Sequence, residues 1–213
     1  MTALAPTVRP ATPPELGAVT DLCLTAFADE AVTVWVLPDP TRRRGVLREM
    51  LGTTLPELVG AQSVLLAVDR EDGPLAVSFW VPRPAAAPPP DAPSTDAAPQ
   101  AERRAVVEAA TAARRPSAAH LHLSAMATLP EHRGRGAGSA MLSAGVELAR
   151  ELDLPVYLEA STADNHRLYA RHGFRDHGAP IHLPGGPTLR PMWRDAGAPL
   201  SGAPARSGRA ARP

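Results

Sequence analysis

The sequence predicts an α/β fold built on a mixed, mostly antiparallel sheet whose central strands run parallel. Three observations carry this expectation. Short apolar runs crowd the first half, a β-α-β-α succession follows from His120, and a hairpin pattern closes the chain. The 213 residues and 44% hydrophobic content suit one α/β domain with an ordinary core, taken to span 1–194.

In chain order, Thr7–Arg9 reads as a strand, and Pro13-Pro14-Glu15 starts a helix that runs to about Phe27. A second helical pattern covers Thr41–Leu58, with Val46, Met50, Leu51, Leu55 and Leu58 on its apolar face. Ser63–Val68 and Leu75–Val81 flank the polar turn 69–73 and outline a hairpin. Ala101–Arg115 is helical and polar. Strands are expected at His120–Thr128 and Val156–Ala160, and helices at Ser139–Leu152 and Asn165–His172. Ile181–Leu183 and Leu189–Trp193 form a second hairpin around Pro184-Gly-Gly-Pro187. The Pro-rich stretch 82–100 is read as an internal loop, and 195–213 as a disordered basic tail.

Composition narrows the function. The formal net charge is zero, which argues against nucleic acid or an anionic membrane as partner. All 22 basic residues are arginine. Cys23 is the single cysteine, within Leu22-Cys23-Leu24; it admits no intrachain disulfide and reads as a core residue. No segment has signal-peptide or membrane-spanning character, so the expected compartment is the cytoplasm, for a monomer or homodimer.

The most informative stretch is the strand His120–Thr128, then Leu129-Pro130, then Glu-His-Arg-Gly-Arg-Gly-Ala-Gly138, then a helix. Glycines let backbone N–H groups turn inward, and a helix N-terminus adds partial positive charge; together they make a cradle for a pyrophosphate. Arg133 and Arg135 add charge-assisted contacts. A Walker A loop is excluded because the chain has no lysine, and Gly134-x-Gly136-x-Gly138 does not give the dinucleotide fingerprint. The spacing fits Arg-x-x-Gly-x-Gly, read at Arg133, Gly136 and Gly138.

Here the chain resembles the GNAT superfamily of acetyltransferases, whose coenzyme A loop is Gln/Arg-x-x-Gly-x-Gly/Ala. Leu158-Glu-Ala-Ser161, Asn165, Tyr169 and Gly173-Phe174 are similar to that superfamily's next strand and helix. Within it, Pro6-Thr-Val-Arg9, Ala26-Phe-Ala-Asp29, the Trp80 strand and Pro184-Gly-Gly-Pro187 resemble its puromycin-acetylating branch. The resemblance implies two central strands that splay apart, with the pantetheine arm of acetyl-CoA on the backbone of Met126, Ala127 and Thr128. Gly134, Arg135, Gly136, Ala137, Gly138 and Ser139 would wrap the pyrophosphate. It also implies N-acetylation of a primary amine on a small molecule, by direct attack in a ternary complex. Two alternatives stay open: a non-catalytic acyl-CoA-binding regulator, and a protein N-terminal acetyltransferase.

Acetyl transfer needs a deprotonated amine, a stabilised oxyanion and a proton for the departing thiolate. Tyr169 is the candidate acid, four residues before Gly173-Phe174 where the superfamily often places it; its other reading is a packing tyrosine. Glu159 shares a strand face with Tyr157 and is the candidate base, directly or through water; otherwise it is a structural glutamate. Asn165 either contacts the pantetheine arm or caps a helix. His120 and His122 share one strand face, as acceptor-pocket walls or a sheet-face hydrogen bond; with no third ligand cluster, no metal is expected. Phe27, Asp29 and Trp80 are further pocket candidates, with Phe27 and Trp80 equally explained as core.

Overall fold

The computed structural model describes residues 6–71, 73–85 and 99–198. Most of the Pro-rich loop and most of the tail expected from composition lie outside the described residues. None of the described helices is long and apolar enough to cross a membrane.

Strand β1 (Thr7–Pro10) leads through a 3-10 turn, Pro13–Glu15, into α1 (Leu16–Ala26), α2 (Ala31–Val36) and α3 (Pro40–Gly60). Then come β2 (Val64–Val68), β3 (Pro74–Arg83), α4 (Pro99–Ala112), β4 (His120–Thr128), α5 (Ala137–Glu151) and β5 (Val156–Ala160). The chain closes with α6 (Ala163–Arg171), β6 (Arg175–Asp176), β7 (Ile181–His182) and β8 (Thr188–Arg194). The sheet order is β1-β2-β3-β4-β5-β8-β6, with β7 on β8; β4 and β5 are parallel, and the other pairings among the described strands are antiparallel. This is the expected fold class.

Three elements differ from the sequence expectation. Helix α2 carries no helical signal in its sequence, since Ala-Val-Thr-Val-Trp-Val is rich in β-branched residues. The Glu30 side chain caps it, accepting from the N–H groups of Val32 and Thr33 at 2.9 Å each. Helix α5 starts at Ala137 rather than Ser139, because Gly136 itself is its N-cap, in the left-handed region. The two-residue strand β6 is too short to leave a periodic signal.

Each sheet face buries its own core. Helices α1 and α3 cover one face, placing Val19, Cys23, Leu51 and Leu55 against Val64, Leu66, Val77 and Phe79. Burial pushes the Cys23 thiol up to about 12. Helix α5 covers the other face, where Met141, Leu142 and Val146 meet Trp80, Leu121, Leu123 and Leu158. Gly145 is required there: a Cβ at this position would lie 1.9 Å from Trp80 Cζ2. The β7–β8 hairpin packs Ile181, Leu183 and Leu189 against Trp35 of α2 and Val107 and Ala110 of α4.

The pairing of β4 explains the centre of the sheet. Ala125 lies opposite Phe79 and Leu123 opposite Trp80, so Ser124 is an extra residue in β4, a bulge. The β4–β5 ladder ends at Leu123↔Leu158. Beyond it both strands continue, β4 to Thr128 and β5 to Ala160, without pairing each other. His120–Leu123 are buried, whereas Ser124 is exposed and Ala125–Thr128 half-buried. The two central strands therefore part at the bulge.

Two expected outcomes test this packing. Gly145→Ala destabilises by about 1–3 kcal/mol or more through the Trp80 clash, whereas Gly52→Ala, with open space at its Cβ, stabilises by up to about 1 kcal/mol; chemical denaturation reads both. The Cys23 thiol stays unlabelled by an aromatic disulfide reagent at pH 8 until denaturant is added.

Candidate active site

The glycine loop lies between the β4 strand end and α5. Gly134 has φ +73° and Gly136 φ +91°, a region that glycine adopts at no steric cost, and a Cβ at either would face open space. Helix α5 has no side-chain cap, so its first amides, on Ala137, Gly138 and Ser139, point toward the loop without a side-chain acceptor. Gly138 allows close approach of α6, since a Cβ there would lie 3.3 Å from Leu168 Cδ2 and 4.0 Å from Met126 Cε. Left-handed glycines, free amides and the helix dipole form a surface that fits a diphosphate.

Arg133 is already engaged. Its Nη1 and Nη2 donate to Asp29 Oδ2 and Oδ1 at 2.7 and 2.8 Å, its Nε to Thr128 O at 3.2 Å, and Nη2 also to Ala26 O at 3.4 Å. The guanidinium holds the Asp29 carboxyl below the usual aspartate range. Arg133 and Asp29, expected in the cofactor loop and the acceptor pocket respectively, are thus one bidentate pair joining that loop to the α1–α2 turn. Arg135 is exposed on the loop.

Met126, Ala127 and Thr128 lie on the stretch of β4 that has left β5. Their backbone groups on that side have no strand partner and can meet an extended amide-bearing chain.

Across the parting point sits a buried polar group. His122 pairs with Tyr157 in the β4–β5 ladder, and Glu159 is the first residue of β5 past its last paired position. His122 Nε2 and Glu159 Oε2 are 2.9 Å apart, with side chains only 7% and 10% exposed. His122 Nδ1 and Glu159 Oε1 have no hydrogen-bond partner, although both are buried. His120 Nδ1 donates to Ala118 O at 2.7 Å, and burial lowers its imidazole pKa, so the ring is neutral and Nε2 is a bare acceptor. Tyr157 contacts both imidazoles at ring distances of 5.5 Å. Burial, then the Glu159 carboxylate, raise its phenol far above the ordinary value. The sequence placed each pair on one face; the register joins the two pairs.

Tyr169 comes from α6 on the α5 side of the sheet, packed against Phe174 with ring centroids 6.0 Å apart. Burial first, then the carboxylates of Glu30 and Glu159, raise its phenol, so it stays protonated at neutral pH. Helix α6 is capped by Thr162, whose Oγ1 accepts from the Asn165 N–H at 3.1 Å; the Asn165 side chain donates instead to Ser161 Oγ. Asn165 is therefore not the cap.

Two pocket candidates, Trp80 and Phe27, are buried in the core, the other of their two expected readings. Trp80 lies under α5 on the face opposite His122, with Nε1 donating to Ser78 Oγ at 2.8 Å. Phe27 packs on Phe79 in the α1–α3 core, ring centroids 6.1 Å apart. Sequence reasoning missed Arg83 and Arg115, whose buried Nε atoms are unpartnered beside the histidines. It also missed Glu30, which acts on Tyr169. The available signal for Arg83 was a charge ending an apolar strand.

Residues 91–174 match the model of the acetyltransferase (GNAT) family. Among solved structures, the chain is similar to a histone acetyltransferase HPA2 and related acetyltransferase from Corynebacterium glutamicum. Identity is 29%, TM-score 0.66, and coverage 92% of this chain and 99% of that one. An arylalkylamine N-acetyltransferase 2 from Aedes aegypti shares the fold at 12% identity and TM-score 0.63, with 89% and 98% covered. So does a Drosophila melanogaster polyamine N-acetyltransferase, at 14% identity and TM-score 0.58, with 89% and 99% covered.

The loop geometry gives a direct expectation. Gly136→Glu places a carboxylate and a strained backbone at the α5 N-cap, and acetyl-CoA affinity measured by calorimetry falls tenfold or more, about 1.4 kcal/mol or above. Circular dichroism of the variant stays native. Unchanged affinity would remove the loop from the cofactor site.

Proposed function

We propose that this chain is an acyltransferase of the GNAT family, and that it moves an acetyl group from acetyl-CoA to a primary amine of a small molecule, by direct attack in a ternary complex. The observation that carries the reading is a coincidence at one point of the sheet. The opening between β4 and β5 lies between a glycine-lined, uncapped helix N-terminus and the buried His122–Glu159 pair. Fold relatives named for arylalkylamines and polyamines support an amine acceptor.

Acetyl-CoA supplies the activated thioester carbonyl. The amides of Ala137, Gly138 and Ser139, with Gly134, Gly136 and Arg135, hold the diphosphate, and the free backbone of Met126, Ala127 and Thr128 holds the amide-bearing arm. With Glu159 ionised, His122 Nε2–H donates to Oε2 and leaves Nδ1 bare. The acceptor's ammonium therefore meets two unused acceptors, Glu159 Oε1 and His122 Nδ1, either of which takes the proton that blocks attack. On the opposite face of β5, the Tyr169 phenol keeps its proton because burial and two carboxylates disfavour the phenolate, and it donates that proton to the departing sulfur. Resemblance to the puromycin-acetylating branch makes puromycin one member of the acceptor panel.

Thiol release from acetyl-CoA against a panel of small amines tests the proposal. Acetyl-CoA binding without turnover on any amine would identify a non-catalytic binding protein instead. Tyr169→Phe keeps shape and cofactor affinity while kcat falls about 10²–10⁴-fold. Glu159→Gln loses rate mainly at low pH, where the acceptor is an ammonium, and partly recovers at high pH. A flat, small loss at every pH would point to an amine that arrives already deprotonated.

A further inference from the structure

We infer that the acceptor carries a carboxylate beside its amine, and that Arg83 and Arg115 bind this carboxylate while the amine faces His122 and Glu159; the inference rests on the acetyl-transfer reading above. Arg83 ends β3 opposite His120, and Val81 lies opposite His122. Arg83, His120 and His122 therefore share one face, with the two register positions about 7 Å apart along the strand. Arg115 follows α4, has a buried Nε, and its charge lowers the pKa of both Arg83 and His120, so it lies near the same group.

Among the described residues no side chain pairs with Arg83 or Arg115, and each has a buried Nε with no hydrogen-bond partner. Burial, then the charge of Arg115, lower the Arg83 pKa; the acid that opposes this is Glu159. Glu159 is already held by His122 at 2.9 Å. Among the described residues, two half-buried guanidiniums share the neighbourhood of one carboxylate that His122 already holds, a costly arrangement unless an anion joins it.

The unused groups describe the missing partner. At one end, Glu159 Oε1, His122 Nδ1 and His120 Nε2 are buried acceptors without a hydrogen-bond partner, with the equally unpartnered Tyr157 hydroxyl among them. At the other end, the buried Nε atoms of Arg83 and Arg115 are donors without an acceptor among the described residues. A zwitterion with its ammonium and carboxylate a few bonds apart satisfies both ends, and a guanidinium can hold a carboxylate by two parallel hydrogen bonds. A dicationic polyamine would instead press its second charge against the two arginines. The chemistry points to amino acids and other amino carboxylates.

The experiment compares wild-type kcat/KM for a set of amino acids with that for the carboxamide and the decarboxylated amine of each, using acetyl-CoA as donor. In parallel, calorimetry measures binding of the corresponding N-acetyl amino acids and N-acetyl amino acid amides. The expected result is a 10- to 100-fold preference for the acids in both assays, about 1.4–2.8 kcal/mol. Arg83→Gln and Arg115→Gln abolish the preference, Arg83→Lys keeps part of it, and acetyl-CoA affinity holds in all three as the measure of an intact fold. Equal use of acids and amides by the wild type, or a preference that survives both glutamine variants, overturns the inference while leaving amine acetylation standing. Selective binding of the N-acetyl amino acids without turnover of any amine keeps the anion site and removes the acetyl-transfer reading.

Discussion

The backbone groups of a strand cannot serve a neighbouring strand and an extended ligand at the same time. That exclusivity governs the centre of this sheet. One additional residue in β4, Ser124, shifts the phase of the strand against β3, and from that residue onward β4 and β5 no longer pair. The other central pairings, β3 with β4 and β5 with β8, run on past that point, so the break is confined to one seam of an otherwise continuous sheet. The break is tolerable because its walls are firm. Trp80 is wedged under Gly145 on the α5 face, and Phe79 is locked against Phe27 on the other.

The two faces meeting at the seam differ in chemistry. Toward α5 the lining is Leu121, Leu123, Leu158 and Met141, with Tyr169 as its polar end. Toward α4 and the closing hairpin it is His120, His122, Tyr157 and Glu159, with His177 stacked on Trp193 at 5.5 Å just beyond. The Tyr169 phenol and the His122–Glu159 pair therefore lie on opposite sides of β5. Separation by a strand keeps the phenol and the imidazole from forming a direct hydrogen bond.

Much of this was legible in the sequence because it depends on local rules. Alternation in His120–Leu123 and in Val156–Ala160 reports which side chains share a face, and glycine spacing before an amphipathic helix reports an anion cradle. Register is not local. That His122 stands beside Tyr157 and reaches Glu159 follows from pairing between segments more than thirty positions apart. Arg83 and Arg115 are separated by the Pro-rich insertion and helix α4, so no window contains both. Trp80 illustrates the reverse failure: an aromatic on the right strand, whose face is set by neighbours rather than by its own sequence. Helix α2 shows a cap and a tryptophan contact overriding β-branched composition.

The Arg133–Asp29 pair has a thermodynamic corollary. One partner belongs to the glycine loop, the other to the turn preceding Glu30, whose carboxylate acts on Tyr169. Any rearrangement of Arg133 on cofactor binding changes the free energy of that turn. By reciprocity, a ligand that orders the turn changes cofactor affinity by the same factor. The pair is partly solvent-exposed, at 44% and 60%, so the coupling is of order 1 kcal/mol or less and weakens with salt. Communication between a ligand at the glycine loop and one at the α1–α2 turn would then be a quantity tunable by ionic strength, without movement of the His122–Glu159 pair or of Tyr169.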